Sequence, residues 1–340
     1  MVKSFLKKAA IFSLCLLIIL PFTACKKDND KGLKKIEVSE VTHSVFYAPQ
    51  YVALNLGFFE DEGLDVSLSV GQGADSVAAA VLSGQVDIGF AGPEASVYIY
   101  NEGRENYLQI FSQLTQKDGS FLVSREKNED FKWTDLKGKH ILPGRRGGVP
   151  FMTFEYILKQ NGLDTEKDLL LDNSVQFAMM TSAFSSGTGD YVTAFEPTAS
   201  MLEKEGKGYI VASIGEESGE IPYTAYFASK KYIEQNEDII QGFANAVYRA
   251  QRWCQEHTAE EIATAIEKSF PDIEHALLVT SVQSYMDIDA WCKDGVMTEK
   301  SLNRLQDVIE EAGELTKRAD FSKTVNNTFA QNAIKNINNK

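Results

Sequence analysis

The chain writes one phrase twice. Residues 83–96 read SGQVDIGFAGPEAS and residues 186–200 read SGTGDYVTAFEPTAS; with one residue inserted in the second copy, Ser-Gly, Asp, Pro and Ala-Ser recur in the same order. The flanks keep the spacing. Pro49 opens an apolar helical stretch that closes at Gly63-Leu64-Asp65, and Pro150 opens another that closes at Gly162-Leu163-Asp164. A shared offset of roughly a hundred residues marks an internal repeat, here of strand-into-helix units. Two related α/β units are therefore expected, and 340 residues suffice to bury one large core or two modest ones.

The periodicity fills in each unit. Residues 36–41 alternate as a strand, 47–56 are apolar at helical spacing, 64–70 read as a strand and 74–82 as a small-residue helix. A strand at 86–90, a helix at 94–100 and a strand at 108–114 complete the first unit. The second repeats the order: strand 140–142, helix 151–160, a less regular strand near 169–177, strand 191–194, helix 197–205 and strand 209–214. Such alternation implies mainly parallel sheets flanked by helices. After Glu220 the texture changes. One more strand is expected at 223–229, and the remainder is helical: Ile239, Ile240, Phe243, Val247, Ala250 and Cys254 share one face, and Thr298 caps a helix with Leu302, Leu305, Val308 and Ile309 inward. The expected organisation is two lobes, residues 36–119 with 222–340, and residues 120–221, crossed at 120–124 and 223–229. Two crossings make a hinge, and the facing strand-end loops make a cleft where ligands bind.

The first residues stand apart from this pattern. Lys3, Lys7 and Lys8 form a positive head before the apolar stretch 9–20, the layout of an export signal and short for a membrane span. Phe22-Thr23-Ala24-Cys25 then resembles the lipobox of bacterial lipoproteins, with Phe22 where that pattern prefers Leu. The resemblance implies cleavage after residue 24 and acylation of Cys25, and two or three acyl chains hold a protein stably at a membrane surface. The run at 25–35 is polar and charged, a solvated tether. A net charge of −14 argues against a nucleic-acid partner, since phosphates need a basic footprint. With Cys15 in the signal, only Cys254 and Cys292 remain in the folded part. Apolar helical surroundings favour free thiols there over a disulfide.

The phrases FYAPQYVALNLGFFEDEGLDV, GQGADSVAAAVLSGQVDIGFAGPEA and GDYVTAFEP carry a closer resemblance. From about residue 36 to at least residue 250 the chain is similar to ABC-importer solute-binding proteins of the branch that binds nitrate, sulfonates, taurine and thiamine-pyrimidine precursors. That resemblance implies a type II periplasmic-binding-protein fold. It also implies a monomer on the extracytoplasmic face, capture of a small solute without catalysis or cofactor, and delivery to a membrane permease driven by a separate ATPase. A thiamine-pyrimidine synthase of the same fold family is the enzymatic rival. It carries a cysteine cluster and works inside cells, whereas no cysteine lies here between residues 26 and 253. A surface sensor is the third possibility.

Strand-end loops supply the candidate ligand residues. His43, Phe46 and Tyr47 follow the first strand, and the two aromatics can sandwich a planar ligand or pack beneath the loop. Gln72 and Gly73 precede the second helix, where free N–H groups suit a polar or anionic rim or an ordinary turn. Gly92 and Glu94 open the third helix; the carboxylate can bind an amine or simply favour the helix dipole. Phe195 and Glu196 hold the matching place in the second copy. Asp87 and Asp190 recur in both, which argues for structure. Arg145, Gly147 and Gly148 form a glycine-rich nest suited to a sulfonate, phosphate or carboxylate, without the ending of a nucleotide P-loop. Tyr223 is the tyrosine of the returning strand expected to face the cleft. The four histidines lack metal-ligand spacing and no nucleophile elbow occurs. Carboxylates repel a bare anion by about 1 kcal/mol or more per unpaired neighbour. The balance leans to a heteroaromatic amine, such as a thiamine-pyrimidine precursor, over an alkanesulfonate, taurine or nitrate.

Overall fold

Alternating apolar residues place Ile36 and Val38 of the first strand in the core, and everything else in the first lobe builds on that strand. The computed structural model describes residues 32–339, so the signal at 1–24, Cys25 and most of the tether lie outside the described residues. Ten strands are present among them: Lys34–Glu40 (β1), Leu64–Val70 (β2), Ile88–Ala91 (β3), Leu108–Thr115 (β4), Ser120–Ser124 (β5), His140–Leu142 (β6), Leu170–Leu171 (β7), Tyr191–Phe195 (β8), Tyr209–Ser213 (β9) and Thr224–Ser229 (β10). They form two sheets, ordered β2-β1-β3-β10-β4 and β7-β6-β8-β5-β9.

The two orders are the same pattern. In each, the next-to-last strand is antiparallel to both neighbours, and it arrives from the other half of the chain. β5 and β10 are therefore interior strands of the sheets. The passages between the sheets are the short stretches 116–119 and 219–223, and the strands themselves are not the hinge. The remaining strands of each sheet run parallel with helices between them, as the alternation requires.

The repeated aspartate has the same task in both copies. Asp87 donates its N–H to the Glu37 carbonyl at 2.9 Å while its Oδ2 accepts from the Glu37 N–H at 2.9 Å. Asp190 does likewise with His140, at 2.7 Å and 2.9 Å. Each aspartate thus staples the turn before β3 or β8 to the first parallel strand of its sheet.

Several boundaries differ from the periodicity, three of them for a visible reason. β1 begins at Lys34, inside the stretch read as tether, because Lys34 donates its N–H to the Gly63 carbonyl. The strand expected near 169–177 shrinks to Leu170–Leu171, because Asp172 turns the chain by accepting from the N–H and Oγ of Ser174. The first helix is divided into a 3-10 turn, Val45–Tyr47, and helices Ala48–Asn55 and Phe58–Asp61, the last starting from left-handed Gly57.

Beyond β10 the chain is helical. Glu237–Glu256 crosses the first sheet, burying Ile240, Phe243, Val247 and Cys254, and Glu299–Glu311 has its Thr298 cap bonded to the Ser301 N–H at 3.0 Å. Cys254 and Cys292 are both buried free thiols. No helix among the described residues is long and apolar enough to cross a membrane.

If the aspartate staples matter equally, Asp87→Ala and Asp190→Ala should each lower the unfolding free energy by about 1–2 kcal/mol in urea titrations. The asparagine variants should lose less, since they keep one acceptor oxygen.

Candidate ligand-binding cleft

Ser44 caps the short turn after β1, its Oγ accepting the Phe46 N–H at 3.2 Å. That cap delivers Phe46 and Tyr47, both buried, to the region between the lobes. The Phe46 ring meets Tyr47 at 5.3 Å between centroids, Phe195 at 5.8 Å, Tyr223 at 5.6 Å and Tyr285 at 5.0 Å. One ring therefore touches the first lobe, the second lobe, the returning passage and the C-terminal helix His275–Asp287. Gly119, on the outgoing passage, runs beneath it: a Cβ there would come within 2.5 Å of the ring. Trp291 steadies the loop from behind, donating its Nε1–H to the Phe46 carbonyl at 2.8 Å.

Glu94 opens the helix Glu94–Asn101, and its carboxylate folds back over Gly92, where an added Cβ would sit 2.0 Å from Oε2. Gly92 is the gap that admits it. The residue is 3 % exposed, and Oε2 has no hydrogen-bond partner. Burial pushes the carboxyl from its ordinary 4.5 up to about 7; Asp75 adds to the rise, while its own amide, Arg145 and the Val149 amide oppose it. Val149 begins the helix Val149–Gln160 of the second lobe, so this carboxylate looks across the cleft.

A second carboxylate escaped the sequence reading. Asp118 is fully buried on the outgoing passage; Oδ1 accepts from the Ser120 N–H at 2.7 Å and its Oγ–H at 2.5 Å, and Oδ2 has no partner. Burial pushes it also up to about 7, against the Ser120 bonds and the nearby Tyr223 hydroxyl. That hydroxyl stands close enough to Asp118 to help hold its pKa down, yet neither it nor Oδ2 makes a hydrogen bond of good geometry. Tyr47 and Tyr223 both sense Glu94 and Asp118 electrostatically, and burial above all raises the pKa of each phenol. The four groups are close enough to act on one another electrostatically. Neither carboxylate is in an ion pair among the described residues.

Glu196 behaves differently. It precedes a cis bond to Pro197, and all its polar groups are engaged. Its N–H donates to the Tyr285 hydroxyl at 2.9 Å, its carbonyl accepts from Ser44 Oγ at 3.4 Å, and its carboxylate accepts from the Ser200 N–H and Oγ and from Ser284 Oγ. Burial raises its pKa and the serines hold it down. The carboxylate caps the helix Thr198–Lys204 and ties it to the C-terminal helix.

The other candidates lie further out. His43 uses both ring nitrogens, Nδ1 on Glu40 and Tyr51, each at 3.0 Å, and Nε2 on the Ser269 carbonyl at 2.9 Å. Gln72 is exposed with φ of 57°, beside Gly73. Arg145 is exposed and bonds Asp75 at 3.0 Å, an ion pair across the cleft mouth; Arg146 is exposed over the Phe151 ring. Gly147 is left-handed, and Gly148 caps the helix Val149–Gln160. The interior thus gathers Phe46, Tyr47, Gly92, Glu94, Phe195 and Tyr223 with Asp118, and Glu196 in the wall. At the rim, a cavity of about 170 Å³ is lined by Thr42, His43, Phe177, Phe195 and Glu196 among others, small for a ligand pocket.

Because the folded-state pKa of Glu94 and of Asp118 lies above the ordinary value, the fold binds extra protons between about pH 4 and 7 and loses stability as pH rises through that window. Melting temperature should fall from pH 5 to pH 8. The double variant Glu94→Gln/Asp118→Asn should flatten that fall and melt higher than wild type at pH 8, a gain of about 1–3 kcal/mol per carboxylate.

This architecture is shared. The alkanesulfonate-binding protein SsuA of Xanthomonas axonopodis pv. citri, solved with MOPS, superposes with a TM-score of 0.70 at 16% identity over 86% of this chain and 98% of its own. The periplasmic nitrate-binding protein NrtA of Synechocystis PCC 6803 gives 0.70 at 15% identity, over 90% and 89%. These likenesses establish the fold of periplasmic binding proteins. In sequence, the chain is 43% identical over 314 residues to the Bacillus subtilis (strain 168) protein named "Putative binding protein YtlA", covering 92% of this chain and 93% of that one. Residues 45–261 match the family described as NMT1/THI5 like. By that match, which spans more than half of the chain, the chain belongs to the NMT1/THI5-like family.

Proposed function

We propose that this protein is the solute-binding component of an ABC importer and that its cleft takes a small heteroaromatic amine, such as a thiamine-pyrimidine precursor. The observation that carries the ligand class is charge balance. Two buried carboxylates, Glu94 and Asp118, are in no ion pair among the described residues, while Arg145, which acts on Glu94 only from a distance, is paired with Asp75 at the rim. An anion entering there must keep both carboxylates protonated or meet like charge; a planar amine meets two acceptors and the rings of Phe46, Tyr47, Phe195 and Tyr223. The names of the solved relatives favour a second reading, an alkanesulfonate or nitrate. It requires Arg145 to leave Asp75 and the carboxylates to stay protonated. No catalytic step is proposed: Cys254 and Cys292 are buried, with burial pushing both thiols up.

Calorimetry with 4-amino-5-hydroxymethyl-2-methylpyrimidine and with taurine separates the two. The pyrimidine should bind, and Glu94→Gln should weaken it at least about tenfold, the value of a charge-assisted hydrogen bond. Tight taurine binding that survives Glu94→Gln and Glu196→Gln would overturn the amine reading.

Anchoring belongs to the same proposal. Lipid on Cys25 would keep the cleft at the extracytoplasmic membrane face, within reach of a permease. Cys25→Ser should then release the protein from membranes or leave it unprocessed; a variant of unchanged size and fractionation would end the lipoprotein reading.

A further inference from the structure

Each passage between the sheets carries one buried polar atom left without a hydrogen bond of good geometry. On the outgoing passage it is Asp118 Oδ2, and at the end of the returning passage it is the Tyr223 hydroxyl; the residues are 0 % and 5 % exposed. The two groups are neighbours, and Phe46 packs edge-on against the Tyr223 ring. We propose that Asp118 and Tyr223 form a hinge-borne subsite for a protonated amine of the solute, distinct from Glu94, which faces the same interior from the first-lobe helix. The inference rests on the heteroaromatic-amine reading and adds where the charge sits.

The local turn explains only half of Asp118. Asp172 and Asp320 make the same aspartate-to-serine turn, one oxygen accepting from the N–H and Oγ of the serine two residues on. Both are on accessible surface, Asp172 partly and Asp320 fully, where ionisation costs little. In Asp118 the turn is fully served by Oδ1. An asparagine would serve it equally, and would not bury a charge. The second oxygen has only the Tyr223 hydroxyl nearby, without a hydrogen bond of good geometry, and in a closed interior it is a liability unless a ligand meets it. An ammonium fits what is free: a carboxylate oxygen, a phenol oxygen and the faces of nearby aromatic rings. A neutral hydroxyl group would satisfy the hydrogen bond and leave the charge uncompensated. Since both groups sit on the passages, the cationic centre stays at the pivot whichever way the lobes swing.

The test compares 4-amino-5-aminomethyl-2-methylpyrimidine with its 5-hydroxymethyl counterpart by calorimetry at pH 7.5, on wild type, Asp118→Asn and Tyr223→Phe. Wild type should prefer the aminomethyl probe by at least about tenfold, and Asp118→Asn should bring the two within about twofold of each other. Tyr223→Phe should reduce the preference in part. A wild-type protein that prefers the hydroxymethyl probe, or a preference unchanged in Asp118→Asn, overturns the proposal. Binding of neither probe overturns the heteroaromatic reading instead. Thermal unfolding at pH 8 then decides the hinge site without any ligand: a higher midpoint for Asp118→Asn keeps it as a group held for a solute, and a lower one assigns it a structural role and ends the proposal.

Discussion

Each sheet is completed by a strand from the other half of the chain, and that exchange governs the rest of the structure. β10 lies between β3 and β4, and β5 between β8 and β9, so removing either would split its sheet into pieces joined by no backbone bonds. The lobes are consequently joined by two passages of a few residues each, both entering the middle of a sheet. Both passages are short, and they bring Gly119 and Tyr223 against the Phe46 ring. Several polar groups on them are paired within the protein: the Gln116 N–H with the Ala290 carbonyl, its side chain with Asp289, and the Ile221 N–H with the Gln116 carbonyl. Asp118 Oδ2 and the Tyr223 hydroxyl, by contrast, have no hydrogen bond of good geometry.

Electrostatics in the cleft follow from that geometry. Positive side chains are long, and here they stay outside: Arg145 reaches Asp75 in solvent at the cleft mouth. Acidic side chains are short and are carried inside by the backbone that bears them, Glu94 by a helix start and Asp118 by a passage. The result is an interior richer in acceptors than in donors. Glu196 is the counter-example, since its serine and amide donors make it part of the wall. Burying these two carboxylates without an ion pair raises their pKa values, which makes the fold less stable as pH rises.

Much of this was legible in the sequence, for reasons that can be named. The doubled phrase marks β3 and β8, the same position in both sheets, and its recurring aspartate makes the same pair of backbone bonds in each copy. Local chemistry repeated in sequence is repeated in space. The second copy misleads at one point: aligned on its proline, Glu196 matches Gly92 and not Glu94. The two glutamates reach the cleft wall by different routes and meet different partners. Asp118 was illegible because its turn is written the same way as those of Asp172 and Asp320, and only the tertiary fold buries one of the three. The interior position of β5 and β10 was hidden too, since strand periodicity says nothing about which neighbour a strand chooses.

Trp291 has a consequence for how the protein can be watched. Of its three tryptophans, Trp133 packs with Phe131 and Phe154 in the second lobe and Trp253 stacks on His257 at 3.7 Å. Only Trp291 is bonded to the loop that holds the cleft aromatics, through the Phe46 carbonyl. An indole whose N–H hydrogen bond depends on that carbonyl changes its emission when the carbonyl moves. The molecule therefore contains its own optical probe of the Phe46 loop, against two tryptophans whose surroundings are set within a single lobe.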